Sequence, residues 1–277
     1  MKPRPEPVPG TRAVTSLQNE RVKFVRALEM RKTRRETGLF VAEGASVLVS
    51  ARDAGWKPRM LVFLAGSAGS GVHRGLLEWA ERAGAECLEV SEAVLGKLAA
   101  KENPQTMLGV FEQQWSEMPD PQSVARDAVW LALEGIRDPG NLGTIIRTVD
   151  AVGASGILLV GACCDPYSRE SVRATMGSIF NVPLMRAEAE PFRAWAERWP
   201  GDAVGTHLSG SEDFRAASYR EPVLILMGSE GPGLTEQLAG ACSRLVKIPM
   251  AGRLDSLNLA VATALMLYEV RRPRLHL

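Results

Sequence analysis

Three short stretches of this chain hold residue types that can do chemistry together. Asp138 to Arg147 carries an amide, Asn141, and a guanidinium, Arg147. Gly228-Ser229-Glu230-Gly231-Pro232-Gly233 carries a carboxylate, Glu230. The run from Ile248-Pro249-Met250 ends in Ser256-Leu257-Asn258, a hydroxyl and a second amide. Such groups can position a reacting hydroxyl and stabilise charge that develops on it. His73, His207 and His276 all lie outside these stretches, so no histidine base is at hand within them.

The same glycines exclude two common phosphate sites. A dinucleotide fingerprint needs Gly-x-Gly-x-x-Gly directly after a strand. Neither Gly135 with Gly140 nor Gly228, Gly231 and Gly233 has that spacing, and no glycine-rich run ends in Lys-Ser or Lys-Thr. Glycines do let backbone N–H and C=O groups come close to a ligand. With apolar Ile248, Met250 and Leu257 beside them, such loops suit a flat adenine and a thioether-like chain. That is compatible with S-adenosylmethionine without singling it out.

Alternating strands and helices must position these loops. Apolar runs at Ala128–Leu133, Gly156–Val160, Ala203–Thr206, Val223–Met227 and Leu245–Ile248 read as strands, the first covered on both faces. Helices are expected over Leu142–Val152, Glu170–Ser178, Pro191–Trp199 and from Ser256 to Val270. Strand, helix, strand in repetition means an α/β fold with a mostly parallel sheet, whose ligands sit at the carboxyl ends of its strands. The preceding half has its own α/β alternation. A helix is expected over Ser16–Arg35, then strands at Gly38–Gly44, Met60–Leu64, Glu86–Val90 and Met107–Phe111, with helices between them.

At 277 residues the chain is longer than one core usually serves. The expected division is a disordered tail over 1–12, a first domain over 13–112, a linker over 113–127 and a second domain over 128–277. Pro119 and Pro121 mark the linker. No apolar run reaches the length of a membrane span, and the proline-rich start is unlike a signal peptide. Cys87, Cys163, Cys164 and Cys242 form no Cys-x-x-Cys pair, which points to reduced, buried thiols of a cytoplasmic protein and to no metal. Charge is uneven. Up to Glu112 there are 17 Lys and Arg against 13 Asp and Glu; beyond it, 16 against 19. The excess centres on Arg21 to Arg35, and Arg31, Lys32, Arg34 and Arg35 are the candidate contacts to a polyanion such as RNA.

Taken together, the three stretches resemble the three motifs of the SpoU family of RNA ribose 2′-O-methyltransferases, in family order and at family spacing. The first is Asp138-Pro139-Gly140-Asn141-Leu142-Gly143-Thr144-Ile145-Ile146-Arg147-Thr148. The second is Met227-Gly228-Ser229-Glu230-Gly231-Pro232-Gly233-Leu234. The third is Ile248-Pro249-Met250 with Asp255-Ser256-Leu257-Asn258-Leu259-Ala260-Val261-Ala262. The likeness runs from about Val129 to Arg272, and the first half is similar to the family's small substrate-binding domain, itself like an RNA-binding ribosomal protein fold. The resemblance implies a SPOUT-type deep trefoil knot, which the pattern of elements would not suggest because knots are nearly absent from proteins. It also implies a homodimer, S-adenosylmethionine in the knotted loops and a structured RNA, ribosomal RNA before transfer RNA, as substrate. A non-catalytic RNA-binding protein that kept the fold is the reading from another class.

Carried over residue by residue, the resemblance places Gly228, Ile248 and Leu257 on the cofactor, with Thr206, Leu226 and Met250 in the same wall. Asn141, Arg147, Glu230, Ser256 and Asn258 become the catalytic candidates. The family's arginine is often described as the base. A guanidinium resists deprotonation, so Arg147 reads better as a clamp on ribose or phosphate that stabilises charge. Asn141 and Glu230 would orient Arg147 and the loop. Ser256 and Asn258 would shape the third loop.

Overall fold

The structure is a computed structural model that describes residues 11–69, 71–99, 105–207, 210 and 212–276. The chain divides into two compact units: residues up to Gln113 together with Tyr167–Phe180, and Gln114–Pro166 together with Asn181–Leu277.

In the first unit the elements are β1 (Arg12–Val14), α1 (Glu20–Ala27), α2 (Arg31–Thr37), β2 (Leu39–Glu43), α3 (Ala45–Asp53), β3 (Met60–Leu64), α4 (Gly71–Arg82), β4 (Glu86–Val90), α5 (Glu92–Ala99) and β5 (Met107–Glu112). The sheet runs β1-β4-β3-β5-β2, with β4 parallel to both its neighbours and β5 antiparallel to both of its own. Val22 and Val25 from α1, Val62 from β3, Leu88 and Val90 from β4, Leu95 from α5 and Leu108 from β5 build its core.

Two expectations are corrected here. Residues 1–10 of the expected tail lie outside the described residues, but Arg12 belongs to β1 and pairs with Leu88. The expected helix Ser16–Arg35 is broken in two between Ala27 and Arg31. Arg34 explains the break. Its Nη1 donates to the carbonyls of Leu28 at 2.8 Å and Glu29 at 2.7 Å. The first helix thereby gains a cation on its unsatisfied C-terminal carbonyls, where the helix dipole favours one. Asn19 caps its other end, accepting from Arg21 N at 2.9 Å.

The second unit opens with β6 (Val129–Glu134), α6 (Pro139–Ala151) and β7 (Gly156–Val160). After α7 (Arg169–Ala174), which packs in the first unit, come β8 (Leu184–Ala187), α8 (Ala189–Ala196), β9 (Asp202–Thr206), β10 (Glu212–Asp213), β11 (Val223–Met227), α9 (Glu236–Ala239), β12 (Arg244–Lys247) and α10 (Leu259–Arg271). The sheet order is β10-β12-β9-β11-β6-β7-β8, and every pairing is parallel. The strands β7 and β11 are buried along their whole length, as continuous apolar runs covered on both faces must be. The chain builds β7 and β8 on one side of β6 and then returns to build the rest on the other. The reversal falls between β6 and β11, and the loops leaving their carboxyl ends flank the crevice where such sheets bind ligands.

The stretch Tyr167–Phe180 departs from the expected 128–277 domain by joining the first unit. Tyr167 and Phe180 stack in an aromatic cluster with Phe40, Trp56 and Phe111, with ring centroids 4.7–6.5 Å apart. Trp56 Nε1 donates to the Phe180 carbonyl at 2.9 Å. Arg169 pairs with Glu43 at 3.1 Å, both side chains nearly buried. Rings that far apart in sequence carry no local signal of their partnership.

All four cysteines are free, Cys87 buried and the other three half-buried. Burial pushes the Cys87 thiol up to about 11 and those of Cys164 and Cys242 to about 12. Thiols held protonated in this way are poor nucleophiles. Among the described residues no helix is long and apolar enough to cross a membrane.

Candidate active site

Helix α6 starts at Pro139, three residues before the expected Leu142. Asp138 Oδ1 accepts from Asn141 N at 2.6 Å, and Pro139 fills a first-turn position where no N–H is needed. The side chain of Asn141 is therefore fixed beside the crevice. Its Nδ2 donates to Glu230 Oε1, and its Oδ1 accepts from Asn258 Nδ2 at 3.0 Å. Asn258 in turn caps α10, taking Ala260 N at 2.9 Å and Val261 N at 3.3 Å on its Oδ1. One chain of hydrogen bonds thus ties together all three motif stretches, from residues 89 and 117 positions apart from Asn141.

The second stretch is a loop closed on itself. Gly233 N donates to Ser229 O at 3.1 Å, and the two residues form an antiparallel bridge. Closure depends on Gly228. A Cβ there would lie 1.9 Å from Gly233 C and 2.0 Å from Leu234 N. Gly228 is therefore needed by the fold of the loop, a different reason from the close ligand approach that the sequence suggests. Gly231 and Gly233 have φ of +94° and +75°, conformations that glycine adopts without steric cost. The root of the loop is held by Glu134 at the end of β6, whose Oε2 accepts from Thr235 N at 2.9 Å and Oε1 from Thr235 Oγ1 at 2.8 Å.

Between this loop, the end of β12 and residues 250–258 lies a cavity of about 640 Å³, within the range of small-molecule sites. Thr206, Gly228, Ile248, Met250 and Leu257 line it, as do Glu230, Ser256 and Asn258. Thr206 Oγ1 donates to Met227 Sδ at 3.2 Å. Leu226 is corrected: it is fully buried in the core against Ala132, Leu158 and Ala203 and does not reach the cavity. Sequence reasoning missed five further lining residues of note, Gly231, Pro232, His207, Lys247 and Asp255. Gly231 and Pro232 stand in plain view within the glycine loop; His207 and Lys247 mark strand ends at the same edge of the sheet, which is the available signal.

Asn141 and Asn258 also border a second hollow of about 420 Å³ between α6 and α10, with Thr144, Thr148, Val261, Leu265 and Tyr268. Arg147 lies on α6 between those two threonines. It is exposed and, among the described residues, has no hydrogen-bond or ion-pair partner. It lines neither hollow.

Of the four candidate RNA contacts in the first unit, Arg31, Lys32 and Arg35 are exposed on α2, and Lys32 is 3.9 Å from Glu36. Arg34 is corrected. It is 4% exposed and engaged on the end of α1, so its charge serves the fold and faces no polyanion.

An all-parallel α/β sheet whose loops at the carboxyl ends of β9, β11 and β12 converge on a cavity defines a class of ligand-binding enzyme folds. Within that class the match is specific: residues 128–268 fit the SpoU rRNA Methylase family, and residues 19–109 fit an MRM3-like substrate binding domain. The chain belongs to the SpoU family. Among solved structures it is similar to an rRNA methyltransferase from Sinorhizobium meliloti with AdoMet bound, 46% identical over 96% of this chain and 100% of that one, TM-score 0.89. It is 31% identical to the 23S rRNA (uridine(2479)-2′-O)-methyltransferase of Streptomyces viridochromogenes, over 98% of this chain and 96% of the relative. A Bacillus subtilis 23S rRNA (guanosine(2553)-2′-O)-methyltransferase is 27% identical over 93% and 98%.

Proposed function

We propose that this protein transfers a methyl group from S-adenosylmethionine to a ribose 2′-hydroxyl of structured RNA, with ribosomal RNA as the substrate. The observation that carries the reading is the hydrogen-bonded chain Glu230–Asn141–Asn258. It binds the wall of the 640 Å³ cavity to the helix that bears Arg147, which has no partner among the described residues. The relatives act on ribosomal RNA by their names, which favours that substrate over transfer RNA.

The residues present fit the cofactor. Met227, Ile248, Met250 and Leu257 give the cavity an apolar wall, while the turns at Gly228–Gly233 and Ile248–Met250 bring polar backbone groups to it. Bound there, S-adenosylmethionine supplies an electrophilic methyl on a sulfonium. Arg147 holds the ribose or its phosphate and stabilises charge on the attacking oxygen. Asn141 orients the start of α6, Glu230 fixes the loop tip against Asn141, and Ser256 and Asn258 shape the third loop. Titrating the protein with S-adenosylmethionine and then mapping ribose methylation on total RNA, with and without the protein, tests the proposal. Failure to bind the cofactor overturns it.

The reading includes the family's knot. Strand β12 lies between β9 and β10, yet the next element, α10, packs on α6 and β11. The segment between passes back across β9 to reach them, and this return over the strand ends is what supports the reading. It also includes a homodimer working in the cytoplasm. Val261, Leu265 and Tyr268 follow one face of α10 at helical spacing and are 50%, 39% and 52% exposed. Leu265→Glu is expected to convert a dimer into a monomer in analytical ultracentrifugation; a variant that sediments like the parent removes α10 from the interface.

RNA affinity is assigned to the first unit and chemistry to the second. Reversing Arg31, Lys32 and Arg35 together to Glu should weaken RNA binding and flatten its salt dependence, by roughly 0.7–0.9 in log–log slope for each phosphate no longer neutralised. Arg34→Glu should instead lower the thermal midpoint. An unchanged salt slope in the triple variant would return α2 to an ordinary solvated face.

A further inference from the structure

We infer that Glu134 is a positioning residue for the cofactor loop: its carboxylate sets where the loop 228–235 stands, and through it the affinity for S-adenosylmethionine. The inference rests on the function proposed above and names a residue outside the three motif stretches.

The geometry is specific. Glu134 is the last residue of β6, beside the end of β11, where Leu133 pairs with Met227. Directly after Met227 the chain turns into the loop, and Gly228 presses against Gly233 and Leu234. The loop therefore leaves the sheet and returns to it at nearly one point. Glu134 holds that point from outside, taking both the backbone N–H and the hydroxyl of Thr235. A carboxylate that accepts two hydrogen bonds from one residue fixes both its position and its orientation. Thr235 can then cap α9, accepting from Leu238 N at 3.4 Å.

The turn that follows Glu134 runs beside the other end of the loop. A Cβ added to Gly135, whose φ is +63°, would stand 3.7 Å from Ser229 Cβ, and Asn141 reaches the tip at Glu230. Root and tip of the cofactor loop are thus both fastened to the single segment 134–141. Gly231 and Pro232, which line the cavity between those fastenings, make no hydrogen bonds of their own to the sheet among the described residues. Their place in the cavity wall follows from where the loop is held. Releasing the root leaves the tip tethered by one amide and lets the wall drift. Glu134 touches neither hollow, so it acts only through the loop.

The test compares Glu134→Ala, Glu134→Gln and Thr235→Ser in the full-length protein. Gln keeps the shape, accepting from one Thr235 donor, and Ser keeps both donors. Isothermal titration should show Glu134→Ala binding S-adenosylmethionine about tenfold more weakly, the loss of roughly one net charged hydrogen bond. Glu134→Gln and Thr235→Ser should stay within about threefold of the parent on the same scale. RNA affinity, read by filter binding, should be unchanged in all three. A general folding defect would lower RNA and cofactor affinity together and would overturn the inference, as would parental cofactor affinity in Glu134→Ala. If the parent itself fails to bind S-adenosylmethionine, the proposed function falls first, so the two failures are told apart by the parental titration.

Discussion

Arg147→Ala is expected to lower the single-turnover rate of methyl transfer by roughly 10²–10³ while leaving S-adenosylmethionine affinity at the parental value. Both halves of the expectation come from position. Arg147 is exposed on α6, outside the cofactor cavity, and no carboxylate among the described residues neutralises it. A cation without a partner among the described residues is available to an anionic or developing-anionic substrate, and truncating it disturbs no bond to them. The effect belongs in the chemical step, because the charge it would stabilise grows only as the hydroxyl attacks. Arg147→Lys keeps the charge and loses the planar fork, so a small residual rate should survive. If both variants turn over RNA at the parental rate, Arg147 is a surface charge and the clamp is elsewhere. Were the guanidinium a true base, the parental rate would climb to high pH and the Lys variant would shift that profile downward.

Arg147 also shows where sequence reasoning reaches and where it stops. The strands Met60–Leu64, Gly156–Val160 and Val223–Met227 are legible to the residue, because each is a short apolar run soon followed by glycine. The start of α6 falls three residues before the expected Leu142, because the local Asp138-Pro139 pair caps and opens it. By contrast, nothing near Leu226 tells which face of β11 it occupies. Strand residues alternate between faces, and only the sheet's coverage by helices decides that Leu226 is core while Met227 borders the cavity. Arg34 misleads for a similar reason: four cations in five residues read as one patch, and only the break between α1 and α2 turns one of them inward. The carboxylate of Glu134 has no local signature at all, since its partner lies 101 residues away.

The motif residues are legible as a set through resemblance, but their mutual contacts are not. The resemblance has Asn141 orienting Arg147. In the structure both ends of its amide are occupied elsewhere, by Glu230 and Asn258. Its influence on Arg147 therefore passes through the backbone of α6, the helix that carries both residues. Asn258 instead caps α10 with its own side chain. A first-turn side chain of α6 joined to the cap of α10, with a loop carboxylate on the end, makes one rim out of three separate segments, and preorganisation of this kind is what a positioned displacement requires.

Gly228→Ala is expected to weaken S-adenosylmethionine binding by about 10², the scale on which displacement by roughly 1 Å is felt at a built site. A single methyl suffices, because the atoms it would meet are backbone: Gly233 C at 1.9 Å, Leu234 N at 2.0 Å and Gly233 O at 2.3 Å. No side chain can rotate away. The Ser229–Gly233 bridge must open, and with it the wall that carries Glu230 and Pro232. Gly231→Ala is the matched control. Nothing lies within 4 Å of a Cβ at that position, so the substitution costs only the strain of a side chain at φ +94°, about 1–2 kcal/mol. Cofactor affinity in Gly231→Ala should therefore fall far less than in Gly228→Ala, although both sit in one glycine run and a ligand-clash account would rank them together. Equal affinity of Gly228→Ala and the parent would falsify the closed-loop explanation, and equal losses in the two variants would return it to steric overlap with the ligand. Because the loop lies beyond the carboxyl end of β11 and not in the core, the thermal midpoint of Gly228→Ala should fall by only a few degrees, on the order of 1–3 kcal/mol for a local overpacking.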